Sequence, residues 1–117
     1  MKKVITILIT FVLVLSLTAC GASRSDEAAR RAQDLLTVEP WSRSGLIDRL
    51  QQDGFSNMDA VKAVDSLGAD WTQQAARYAG DLIGKNFFIS YEEIEASLRL
   101  AGFGPEEIAY VMSAAEG

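Results

Sequence analysis

One thiol, 16 carboxylates and no histidine delimit the chemistry open to this 117-residue chain. The single cysteine, Cys20, excludes a disulfide within one molecule and any CxxC redox or metal motif. Its setting points elsewhere. Lys2 and Lys3 form a positive start, and residues 4–17 are apolar apart from Thr6, Thr10 and Ser16. Leu17-Thr18-Ala19-Cys20 then closes the run with small residues and the thiol. The apolar stretch falls short of the roughly 20 residues that cross a bilayer, and small side chains at its end suit cleavage. Leu-Thr-Ala-Cys has the form of a lipobox, in which the thiol takes a diacylglycerol and the chain is cut before the cysteine. The expectation is an export signal over residues 1–19, a lipidated Cys20, and a polar tether over 20–25. Each buried methylene of a lipid contributes about 0.8 kcal/mol, so several acyl chains on one residue anchor firmly. The chain is then expected at the outer face of the cytoplasmic membrane.

No other set of residues composes a catalytic centre. Ser42, Ser56 and Ser90 stand where helices should begin, with no base near them in sequence. The acidic pairs Glu92-Glu93 and Glu106-Glu107 fall in first helical turns, where the helix dipole favours negative charge. The expectation is a protein that is not an enzyme, with no catalytic residues, no metal ligands and no cofactor. Cleavage before Cys20 removes Lys2 and Lys3 from the 11 basic residues and none of the 16 acidic ones, leaving a formal charge of −7. Such a surface disfavours nucleic acid and anionic lipid headgroups and favours a basic protein partner. Phe87 and Phe88, beside Tyr91, are hard to bury in one loop and offer an apolar patch. Together with Glu92, Glu93, Glu106 and Glu107 they are the candidate binding residues.

These residues must be positioned by helices, because no stretch alternates as a strand would. Residues 28–36 match 75–83 at an offset of 47, with Ala28/Ala75, Ala29/Ala76, Arg30/Arg77, Ala32/Ala79, Asp34/Asp81 and Leu35/Leu82 identical. Further on the offset is 48, aligning Ser42 with Ser90, Leu50 with Leu98, and Gly54-Phe55 with Gly102-Phe103. The reading is all-α: two tandem three-helix, helix-turn-helix-like repeats packed together, over 26–69 and 70–117. First helices are expected near 26–36 and 71–83, the latter capped by Asp70 or Thr72. Ser90 and Glu93 form a capping box, and Ser56 with Asp59 has the same shape. Gly54 and Gly102 suit left-handed helix ends, and Pro105 suits a first turn. Phe55 and Phe103 should plug their units, Trp41 should be core or staple, and Trp71 should pack between the copies. A helix-turn-helix shape that is acidic and exported lacks the basic face that DNA readout needs.

The string Trp41-Ser42, Gly45-Leu46-Ile47, Leu50, Gly54-Phe55-Ser56, Ala60, Ala63-Val64-Asp65 and Asp70-Trp71 strongly resembles the repeat of the Ltp-like host cell surface-exposed lipoproteins. The resemblance spans the whole chain after the lipobox. The second copy departs from it, keeping Ser90, Leu98, Gly102-Phe103 and Tyr110. What it implies is a pair of helix-turn-helix-like repeats without DNA-binding activity. In phage-encoded members it implies superinfection exclusion, with the lipoprotein stopping DNA injection by engaging the incoming phage's tape-measure protein. The alternative expectation is a structural or interaction lipoprotein of the cell envelope unrelated to phage.

Overall fold

The computed structural model describes residues 23–116. The chain there is all-helical, with no strand among the described residues: α1 (Arg24–Val38), α2 (Arg43–Gln52), α3 (Asn57–Ser66), α4 (Trp71–Lys85), α5 (Tyr91–Leu100) and α6 (Pro105–Glu116). The export signal expected over 1–19 and the lipid anchor expected at Cys20 lie outside the described residues. No helix among them is long and apolar enough to cross a membrane.

Short polar side chains start the helices. The Ser42, Ser56 and Ser90 hydroxyls accept the amide hydrogens of Gly45, Asp59 and Glu93 at 2.9, 3.1 and 3.1 Å. Asp70, rather than Thr72, caps α4 by accepting from Gln73 N–H at 3.1 Å. The capping box at Ser90 is half-made, since no bond returns from the Glu93 carboxylate among the described residues. Glycines stop α2 and α5 by one mechanism. Gly54 (φ +104°) and Gly102 (φ +92°) are left-handed. Phe55 N–H reaches back to Leu50 C=O, and Phe103 N–H to Leu98 C=O, both at 3.1 Å. The glycine amides bond Gln51 and Arg99 carbonyls at 3.0 Å, completing a Schellman motif at each helix end.

Two apolar clusters form, each from three consecutive helices. The first gathers Ala28 and Ala32 of α1, Leu46, Ile47 and Leu50 of α2, and Ala60, Ala63 and Val64 of α3. Alanines on both facing sides let α1 and α3 approach closely, and this is the most extensive helix pair. The second gathers Ala75 and Ala79 of α4, Ile94 and Leu98 of α5, and Phe103, Ile108 and Val111. Ile108 and Val111 occupy the fourth and seventh positions of α6, which in α3 are Ala60 and Ala63. With this bulkier pair, α6 packs less extensively on α4 and α5 than α3 does on α1 and α2. Phe103 is 5% exposed and meets Tyr78 edge-on at 5.6 Å. Phe55 is not the matching plug: it is half-buried, with the Arg24 guanidinium 4.4 Å above its ring. A cation over the aromatic face shields it without full burial.

The clusters also differ in how their helices are tied. In the first, Arg43 donates twice to Asp65 (2.8 and 3.0 Å), joining the start of α2 to the end of α3. That hydrogen-bonded guanidinium holds the Asp65 carboxyl below its ordinary value. Asp53 is likewise held low, by its bond from Arg31 first (3.0 Å) and then by nearby Arg49 (3.4 Å). In the second cluster the corresponding contact is a long one, Tyr91 Oη to Ala115 C=O at 3.5 Å.

Candidate functional site

Helix ends meet where the two clusters join. The Ser42 hydroxyl, while capping α2, donates to the Ala101 carbonyl at the end of α5 at 2.5 Å. Ser44 Oγ donates to Gly102 C=O at 2.8 Å, and Trp41 N–H donates to Gln74 Oε1 at 3.1 Å. Ser42 and Gln74 are the buried polar residues of the chain's described part. Trp71, at the start of α4, packs against the first cluster, whereas Ala75 and Ala79 of the same helix belong to the second. Space is tight: a Cβ on Gly102 would collide with the Ser44 hydroxyl, and one on Gly45 would stand 3.2 Å from the Ala101 carbonyl. This joint holds the two clusters in register. It lies a full helix, 15 residues or about 22 Å of rise, before the loop that carries the candidate patch.

That loop is ordered by its own backbone and one amide side chain. Asn86 N–H bonds Leu82 C=O at 3.0 Å, Phe88 N–H bonds Asn86 Oδ1 at 3.0 Å, and Ile89 N–H bonds Asn86 C=O at 3.2 Å. The asparagine turn leaves Phe87 and Phe88 85% and 95% exposed while Ile89 packs on the second cluster. Beside it, Phe87, Tyr91 and Glu92 line a groove of about 460 Å³ with Ile83, Ile89, Ser90 and Ile94. Tyr91 and Glu92 also border a second groove of about 450 Å³ between α5 and α6, floored by Phe103, Ile108 and Met112 and rimmed by Glu95, Arg99 and Glu116. Arg99 is paired with Glu95 at 2.9 Å, so the rim is acidic.

The structure therefore brings Phe87, Tyr91 and Glu92 together, with Phe88 and Glu93 as exposed neighbours. Glu106 and Glu107 are not part of this group; they open α6, next to the joint end of α5. The Glu107 carboxylate accepts the Gly104 amide hydrogen at 3.0 Å at the start of α6. Sequence reading missed Ile83, Arg99 and Met112. The signal for Met112 was present in its helical spacing from Ile108, but a groove between two splayed helices leaves no mark on periodicity. No group of His, Cys, Asp and Glu side chains among the described residues could hold a metal ion. No protein-family model, curated protein or solved structure matches the chain.

Proposed function

We propose that the chain is a lipid-anchored, non-enzymatic module that binds a protein at the outer face of the cytoplasmic membrane. The observation that carries this reading is the ordered loop bearing two almost fully exposed phenylalanines beside a groove with an acidic edge. Leaving such side chains in water forgoes about 1.5–3 kcal/mol each, and a turn held by Asn86 does not let them collapse inward. An apolar centre with a charged rim is the composition of a protein-recognition surface. In this proposal residues 1–19 direct export, Cys20 carries the lipid, and the six helices form two repeats of one three-helix unit. The matching Schellman ends at Gly54 and Gly102 and the serine caps at Ser42 and Ser90 support the repeat.

The sharpest form of the reading is superinfection exclusion, with the acidic end of the second repeat engaging a basic segment of an incoming phage protein such as the tape-measure protein. Long-range attraction would speed that encounter more than it would tighten it. Expression in a sensitive host should leave phage adsorption intact and lower DNA entry, and Cys20→Ala should remove the effect. Normal DNA entry for every phage of a broad panel would sink the phage reading. Capture of a host envelope protein by the anchored chain, lost with Phe87→Ser/Phe88→Ser, would favour the envelope role instead.

A further inference from the structure

We infer that a molecule anchored at Cys20 stands with its first three helices toward an anionic membrane surface and turns the Phe87–Tyr91 end outward, so that this end meets a protein arriving from outside and not the bilayer. The inference rests on the anchored reading above. Exposure alone does not set the orientation, since exposed phenylalanines beside a lipid anchor would also suit insertion among lipids.

Chain geometry supplies the first argument. Two residues, Gly21 and Ala22, separate Cys20 from Ser23, a reach of about 10 Å over three peptide steps, so the start of α1 stays near the lipid. Arg24 at that start lies over Phe55, which places the α2–α3 turn at the same end. The chain then runs along α1 to the joint at Trp41 and Ser42, and from the joint along α4 to Lys85. Tyr91 Oη on Ala115 C=O shows that α6 finishes beside the Phe87 loop, not at the joint. The anchored end and the aromatic end thus belong to different clusters, each a helix length from the joint.

Charge supplies the second. Residues 23–69 carry six basic and eight acidic side chains, a net of −2. Residues 70–116 carry three and eight, a net of −5. An anionic surface repels the second set more strongly within a Debye length of about 8–10 Å. Glu92 and Glu93, next to the phenylalanines, put that repulsion where insertion would have to begin.

The test couples the mature chain through its single thiol to a maleimide lipid, in vesicles of phosphatidylcholine with or without phosphatidylglycerol. Chemical coupling makes the result independent of whether a cell lipidates Cys20, which palmitate labelling reads separately. A donor dye is attached to p-azidophenylalanine placed at exposed Met58 or at exposed Phe88, and energy transfer to a headgroup acceptor is measured. Transfer from position 58 should exceed that from 88 by about twofold or more on anionic vesicles, with a smaller contrast on neutral ones. Glu92→Lys with Glu93→Lys should raise transfer at 88 on anionic vesicles only. Equal transfer from both positions, stronger transfer from 88, or no response to the lysines would overturn the inference.

Discussion

Gly102 is held by two constraints that act at one atom. Its φ of +92° disfavours any side chain, and the space a Cβ would need is taken by the Ser44 hydroxyl. Gly102→Ala should cost about 1–3 kcal/mol in urea unfolding, whereas Gly80→Ala, helical with open space around it, should gain about 0.5–1 kcal/mol. A cost at Gly80 or none at Gly102 would contradict the packing described. The Arg43–Asp65 pair makes a pH prediction. Asp65 is held below its ordinary value of 3.8 in the folded state. Its contribution is therefore present above that pH and lost as the pH falls through the lower folded value. Both side chains are about half exposed (45% and 52%), so water screens the gain. Asp65→Asn should lower Tm slightly at neutral pH, and the difference from the parent chain should close in acid. The caps at this scale are legible in the sequence, because Ser42, Ser56, Asp70 and Ser90 act on amides three residues away. The second bond of Ser42 is not legible, since its acceptor is 59 residues distant.

At the scale of helices, the two clusters use similar parts to different ends. Leu98 is fully buried in the second, and Leu98→Ala should destabilise by about 2–5 kcal/mol. Phe88→Ser should change stability by no more than about 0.5 kcal/mol and, under the proposed binding role, remove capture of a protein partner; a large loss of stability would make Phe88 a structural residue. The groove between α5 and α6 is open where α2 and α3 are tied. Arg43 is the first residue of α2 and Asp65 the ninth of α3; the same places in α5 and α6 hold Tyr91 and Ser113. Hydrogen exchange in the last turn of α6 should accordingly be faster than in the last turn of α3. Tyr91→Arg with Ser113→Asp should slow it and weaken binding in that groove. The apolar spacing makes the helices themselves legible, and the glycine-phenylalanine pairs mark their turns. The unequal clusters are not read as easily: Phe55 and Phe103 occupy matching positions, but only the structure reveals Arg24 covering one of them.

For the molecule as a whole, net charge and the aromatic loop are legible in composition, whereas the joint is assembled from residues far apart in sequence. The joint also sets how the protein answers to force. If the chain is held by lipid at one end and by a moving partner at the other, as proposed, it is under tension, and the load crosses between clusters at Trp41–Gln74, Ser42–Ala101 and Ser44–Gly102. Gly68 and Ala69 link α3 to α4 covalently beside those bonds. Pulling would therefore open the joint as a hinge before either cluster unravels, and closing it again re-forms three hydrogen bonds and the packing of Trp71 on the first cluster. Single-molecule stretching from Ser23 to the Phe87 loop should show a short, reversible extension ahead of the unfolding steps, and Ser42→Ala should lower the force at which it occurs.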